Sequence, residues 1–536
     1  MTQNEIKKNN FVLLAFILSV ITVISIVSKF SFILSTQIAI FIILLISSVF
    51  LLNNYKIKIN SYIVSSIFLF IAACLSYINA DFQTNVRDYI LILTSALLAG
   101  FNFSFLSVDM KKKVFFVPIF IALWLSMIIF SKFIANPYGF FKDYDFYTII
   151  ALNINVIAGF LVLVYPLFFI YIKEKINTNV FISMAIFVLL AIFLTRSRIA
   201  MLVAFILTII FLFSYRKNNY VKLLIILLVL FFISSIIYVS MLKVHFSSVS
   251  NRTVWWQTAY SIFKENILFG CGLGNYTVLF KAFRPERVLN TLFAHNIVLQ
   301  FLSDTGIFGL ISFAFLMICF YIKVIDKIID KFIDNKDRYF YIVSSLSVTS
   351  FMIINMFDYS FFAPANMLMF FMIYCSVFYV NPSKFKKEKI NSYILAFVVL
   401  VFCVFIVRPV ISQIHYKKGI EFYVAKQYKM SIEEFELAIK YDKKNPEYYA
   451  QVSKSYFALY DKNRGEVGRI YADNAIKYNM KAIELYKNGA QLKASLASIY
   501  WNIGKKEEAL KYIREAIKYD KFNPYYEEYY FQIKNS

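Results

Sequence analysis

Charge is scarce in this chain. Only 16% of its 536 residues are Asp, Glu, Lys or Arg, while 60% are hydrophobic. A water-soluble protein of this length needs a charged surface, so that class is excluded. Cysteine is sparse too. Cys74, Cys319, Cys375 and Cys403 lie inside apolar runs and only Cys271 lies in a loop, which excludes a disulfide framework and any metal-ligand spacing. There are three histidines, and one of them, His295, falls in the longest polar-bearing break of the first 410 residues. Acidic residues are outnumbered, 32 against 56 basic ones, for a formal net charge of +24. Such an excess can signal nucleic acid, but its distribution here points elsewhere.

What the chain does have is apolar runs of the length that crosses a hydrocarbon layer about 30 Å thick. Some thirteen candidate spans can be drawn, the first at 11–28, with 222–242, 305–324, 339–357 and 363–380 among the later ones and the last at 392–408. The spacing therefore predicts an all-α, polytopic membrane protein with about 12–13 transmembrane helices. The N-terminal run lacks a small-residue cleavage site and is read as an uncleaved first span. Lysine and arginine cluster in alternate connections: Lys7-Lys8, Lys56/Lys58, Lys111 to Lys113, Lys173/Lys175, Arg216/Lys217, Lys323 to Arg338 and Lys384 to Lys389. By the positive-inside rule these connections and the N-terminus are cytoplasmic. The basic excess thus marks topology and contact with anionic membrane lipids, and no nucleic-acid partner is expected. The same count puts Thr195 to Arg198, the loop at about 243–304 and everything after 409 on the opposite face.

From about 411 to 536 the composition becomes that of a soluble, amphipathic, tyrosine-rich helical region. FELAIKYDKKNPEYY (from Phe435) and IREAIKYDKFNPYYE (from Ile513) repeat one pattern, and KAIELYKNGAQLKASLASIYW supplies a third copy. Ala482 stands 34 residues before Ala516 and 44 after Ala438. Thirty-four is the tetratricopeptide period, and the extra ten residues fit an insertion around DKNRGEVGRI. Repeats of this kind bury apolar faces against each other and offer a concave surface, which predicts a protein partner for this region. The chain thus divides into a multi-span domain, 1–410, and a helical repeat domain, 411–536, with the former carrying the 243–304 loop.

Three polar groups on the non-cytoplasmic side could carry chemistry. Arg196 and Arg198 stand at the junction of two spans in LTRSRIAML. Arginine at that depth usually faces a cavity or a partner, and its planar fork suits phosphate. NRTVWWQTAYSIF reads as an amphipathic interfacial helix, which explains Trp255 and Trp256 but not Arg252. GCGLGNY lacks the preceding strand of a dinucleotide loop and is read as a turn that brings Arg252 and His295 together. In FAHNIVLQFLSDTGIFGL, a helix would line up Asn296, Gln300 and Asp304, with His295 about 100° away from Asn296. A histidine can accept a proton from an attacking hydroxyl.

These motifs, in this order, resemble the O-antigen ligase and polymerase superfamily of bacterial membrane glycosyltransferases. The residues concerned are Ser197-Arg198, Arg252 with Trp256, Phe269 to Tyr276, Ala294-His295-Asn296 and Asp304 to Leu310, and some members also carry tetratricopeptide repeats. The chain departs from the pattern at Ile199, where a small residue is usual, and at Asp304, where glutamate is common. The resemblance implies an enzyme of the bacterial cytoplasmic membrane that moves a glycan from an undecaprenyl-pyrophosphate carrier to a glycan, lipid or protein acceptor outside that membrane. His295, Arg252 and Arg198 are then the expected catalytic residues. Arg196, Trp256, Asn296 and Asp304 are expected to bind substrate, with inversion at the sugar carbon and no metal or other cofactor. Repeat-unit polymerisation and protein glycosylation share the same site. Two other readings remain: a metal-dependent transferase using Asp143 and Asp145, and a transporter of lipid-linked sugar. The second suits the sequence poorly, because the spans hold almost no charge.

Overall fold

The computed structural model describes residues 3–27, 34–55, 59–137, 148–149, 152–213, 247–380, 392–463 and 465–536. Apart from a short antiparallel hairpin of Thr148–Ile149 with Leu152–Asn153, the described elements are helices. Five of them are long and apolar enough to cross a membrane: Leu34–Leu52, Gln83–Ser104, Val108–Ala135, Ile154–Lys173 and Ile297–Ile329. Five shorter apolar helices accompany them, Phe11–Ser25, Ser61–Leu75, Thr178–Leu194, Arg198–Phe213 and Pro364–Tyr374. At 1.5 Å per residue the shorter ones fall below a 30 Å layer, so among the described residues five helices reach the length of a crossing. The expected span at 222–242 and the Asp143/Asp145 pair lie outside the described residues. The runs at 339–357 and 392–408 become parts of the helices Asn335–Asn355 and Ser392–Val424.

Burial sorts these helices. The apolar window of Ile154–Lys173 is 94% buried, whereas that of Ile297–Ile329 is 39% buried. The first is therefore the axis of the bundle, and Pro364–Tyr374, buried along its whole length, packs beside it. The second lines the rim, where Ile311, Ile318 and Ile322 are all more than half exposed. In a protein of this hydropathy such side chains face lipid.

The helix Ile297–Ile329 is not continuous. Gly306 sits at φ 66°, ψ −166°, and the helix breaks there. The open backbone is taken up by the loop that precedes it in sequence. Cys271 N–H donates to Ser303 O at 2.9 Å and Gly272 N–H to Asp304 O at 2.9 Å, while Ile307 N–H donates to Ile267 O at 2.9 Å. A β-carbon on Gly306 would lie 2.4 Å from Leu268 O, and one on Gly270 would lie 2.4 Å from Thr305 N. Two glycines facing each other are what lets a loop pair with the middle of a helix.

The repeat region begins in the tail of Ser392–Val424, where a β-carbon on Gly419 would strike the Phe435 ring at 2.5 Å. Tyr428–Tyr441 completes the first helix pair. Pro446–Lys462 pairs with Glu466–Leu485, Ala490–Asn502 pairs with Lys506–Tyr519, and Pro524–Asn535 closes the stack. Ala438, Ala482 and Ala516 are fully buried at equivalent positions, as the repeat spacing predicts. The ten extra residues are not a loop. They lengthen the second pair to 17 and 20 residues, against 13 and 14 in the third.

One recurring position, the fourth residue after each buried alanine, carries contacts between the stack and the membrane-helix domain. Asp442, Tyr486 and Asp520 each donate their backbone N–H to that alanine's carbonyl. Each side chain then reaches across. Asp442 Oδ2 lies 2.8 Å from Arg87 Nη1, and Asp520 Oδ1 lies 2.8 Å from Arg284 Nη2. Tyr486 donates its hydroxyl to Val278 O at 2.9 Å and stacks on Phe82.

Candidate active site

The site is assembled around the broken helix. Asp304, fully buried, receives Gly274 N–H on Oδ2 at 2.8 Å and Tyr276 N–H on Oδ1 at 3.1 Å. Gln300, one turn earlier, donates to Asp304 Oδ2 at 2.9 Å and accepts Ala294 N–H on its Oε1 at 2.7 Å. The Gln300–Asp304 pair thus pins the glycine turn on one side and the residue before His295 on the other. The predicted polar stripe exists, but its inner half supports backbone. Both Asp304 oxygens accept hydrogen bonds from within the protein.

His295 is not helical. It stands at φ 54°, and Asn296 after it caps the helix, accepting Leu299 N–H at 3.1 Å. Asn296 Nδ2 donates to Met356 O at 3.0 Å, which ties this corner to the connection 356–360. That connection forms the far wall. Tyr359 meets the His295 ring edge-on at 4.7 Å, and Asp358 Oδ1 lies 3.7 Å from His295 Nδ1. Trp255 covers the opposite face of the imidazole, with centroids 4.4 Å apart and planes at 25°.

The arginines come from two other helices. Arg252 lies in the helix Ser247–Glu265, which matches the amphipathic segment predicted there. Arg198 begins the helix Arg198–Phe213 and is exposed. Arg196 occupies the turn before it at φ 58°. Burial lowers the Arg252 pKa, Asp358 opposes that shift, and the positive field of Arg198 adds to it. Arg198, Arg252 and Asp358 therefore share one electrostatic neighbourhood, although they are far apart in sequence. Burial, helped by Arg252, drives the His295 pKa down to about 3, so the imidazole is neutral. Burial raises Asp358 to about 6 against the pull of Tyr359 N–H, Arg252 and Ser360.

Among the described residues, Arg252 Nε, Trp256 Nε1 and His295 Nδ1 are buried side-chain nitrogens without a hydrogen-bond partner. Leaving a buried polar group unsatisfied costs about 1–3 kcal/mol, so these nitrogens hold hydrogen-bonding capacity that the protein itself does not use. The two guanidinium groups beside them can hold an anion. Of the predicted residues, Arg252, Arg198 and His295 share this neighbourhood and Trp256 stands beside it, packed toward Phe357. Asp358 and Tyr359 complete it without having been singled out, and Trp255, expected only as an interfacial aromatic, joins them. A lone aspartate in the aromatic connection MFDYSFF was the available signal for Asp358.

Fold and site together define a helical membrane protein with an arginine-flanked histidine site and a docked stack of helical repeats. Residues 182–314 match the family model described as O-Antigen ligase, and residues 490–523 match a tetratricopeptide repeat. The first matched stretch holds all seven predicted site residues. No curated protein matches the chain. Among solved structures, the first tetratricopeptide unit of Spaghetti bound to an HSP90 peptide is 16% identical, with 24% of this chain and 93% of that one covered and a TM-score of 0.21. The Arabidopsis OM64 tetratricopeptide domain is 17% identical, with 24% and 98% covered and a TM-score of 0.21.

Proposed function

We propose that this protein transfers a glycan from a polyprenyl-pyrophosphate carrier to an acceptor hydroxyl or amide at the outer face of a bacterial cytoplasmic membrane. The observation that carries the reading is the pair of buried, unpartnered nitrogens on Arg252 and Trp256, set beside Arg198 and the neutral imidazole of His295. Two guanidinium groups can grip a pyrophosphate and hold the negative charge that grows on it as the sugar leaves.

The chemistry balances simply. The acceptor oxygen (or nitrogen) bonds to the anomeric carbon as the carbon–oxygen bond to pyrophosphate breaks, with inversion. The bonding pair leaves with the polyprenyl pyrophosphate, and the acceptor proton passes to His295. Asp358, facing the Nδ1 edge, steadies the imidazolium that forms, so Nε2 is the atom that takes the proton. Bound pyrophosphate would offset the field of Arg252 and raise the basicity of His295 at the moment it is needed. The two arginines supply the countercharge, and transfer should survive a chelator.

The exposed apolar faces of the helices in this region suit a donor delivered along a membrane. The ligase and polymerase readings differ only in the acceptor. The test is purified protein in lipid nanodiscs with a polyprenyl-pyrophosphate glycan and a panel of acceptors. Product should form and fall by about 10²–10⁴-fold in His295→Ala. Full activity in that variant would remove His295 from the mechanism.

A further inference from the structure

We propose that Asp520 and Arg284 are positioning residues through which the repeat stack sets the pose of Trp255, and with it His295. The activity readout below rests on the glycan-transfer reading, while the geometry does not.

Asp520 is the acid of the repeated AIKYD motif, and its side chain is 3% exposed. Its partner Arg284 ends the helix Tyr276–Phe283 and is 7% exposed. Arg284 turns Nη1 to its own loop. Nη1 donates to Asn290 Oδ1 at 3.2 Å and to Val288 O at 3.3 Å, and the guanidinium lies over the Phe522 ring of the repeat region at 5.4 Å. The loop 284–290 is therefore folded around one buried cation. Between those two contacts, Leu289 turns its carbonyl to Trp255 Nε1 at 3.1 Å. Trp255 is the ring that lies on His295. A continuous path of contacts thus runs from the repeat stack to the histidine, with a buried charge at its origin.

A guanidinium that loses its counter-charge in such surroundings does not stay in place, because water becomes its better partner. The loop then relaxes and the indole loses its anchor. Nature provides an internal comparison. Asp442 holds Arg87 at the same 2.8 Å from the equivalent repeat position, but that pair lands on the helix Gln83–Ser104 and not on the 284–290 loop. Loosening either pair weakens docking, and only one should disturb Trp255.

The experiment uses the full chain in nanodiscs. Four tryptophans are present, so Trp124→Phe, Trp256→Phe and Trp501→Phe leave Trp255 as the sole reporter. In that background, Asp520→Asn should raise acrylamide quenching of Trp255 about twofold, and Asp442→Asn should leave it unchanged. In the otherwise native chain, Asp520→Asn should lower kcat about tenfold with the donor KM held, because misplacement by about 1 Å alone costs that order or more. Asn290→Ala, which keeps the ion pair but frees the loop, should reproduce both effects if Asp520→Asn folds poorly. Unmoved quenching in Asp520→Asn and Asn290→Ala, or equal effects from Asp442→Asn, would overturn the proposal. Quenching needs no donor, so an absence of glycan transfer in every variant would sink the functional reading and leave this one standing.

Discussion

Trp255 lies flat on His295, with ring centroids 4.4 Å apart and planes at 25°. The stack does two things at once. It seals one face of the imidazole from water, which keeps His295 neutral, and it fixes the ring plane so that Nδ1 looks toward Asp358. The backbone at His295 is already in the left-handed region, so the side chain has few other ways to stand.

Replacing Trp255 should therefore separate two contributions. Trp255→Phe keeps a flat ring but gives up the hydrogen bond to Leu289 O, and should lower kcat about tenfold, as Asp520→Asn should. Trp255→Ala removes the wall and should lower kcat by about 10²-fold, in line with the cost of a loosened catalytic group. Initial rates at saturating donor decide it. A Trp255→Ala enzyme as fast as Trp255→Phe would show that the stack does not hold the histidine.

Asp358 should set the acid limb of activity. Its pKa is raised to about 6, so the charge that steadies the imidazolium is absent below that pH and present above it. The wild-type kcat/KM should rise through about pH 6, and Asp358→Asn should be slower and lack that limb. Stability should move the other way. A carboxyl raised above its unfolded value of about 3.9 contributes stability that is full below that value and lost as pH rises through about 6. Asp358→Asn should thus unfold at a higher temperature than wild type at pH 7.5 and not at pH 3.5. A limb that persists in the variant would assign it to another group.

Much of this was legible in the chain. The apolar runs gave the membrane helices because a 20-residue period of hydrophobicity has few other uses, and AIKYD repeated at full length gave the repeat stack. Arg198, Arg252 and His295 were visible as polar groups too costly for their surroundings. Three things were not visible, each because it depends on contacts distant in sequence. The break at Gly306 exists only because Gly270 approaches it, and a glycine inside an apolar run carries no mark of that. Asp358 sits in a connection that looked merely short and aromatic. The docking role of Asp442 and Asp520 hid in a motif already explained by repeat packing.

The position of Asp304 leads to the last expectation. Its carboxylate takes three hydrogen bonds, from Gly274 N–H, Tyr276 N–H and Gln300 Nε2, and none of its capacity is turned toward the arginines. Asp304→Asn keeps the shape but turns one acceptor oxygen into a donor, so at least one backbone N–H must go unpaired. Leaving such a buried group unsatisfied costs about 1–3 kcal/mol of stability. Because Gln300 also holds Ala294, the strain reaches His295 through one intervening residue. Asp304→Asn should therefore lower the unfolding temperature and kcat together while donor binding stays within about twofold. A residue that touched the donor would behave differently, losing affinity at unchanged stability, as Arg252→Ala should. Equilibrium binding of a non-reactive polyprenyl pyrophosphate to the two variants, set beside their unfolding temperatures, tells the two roles apart.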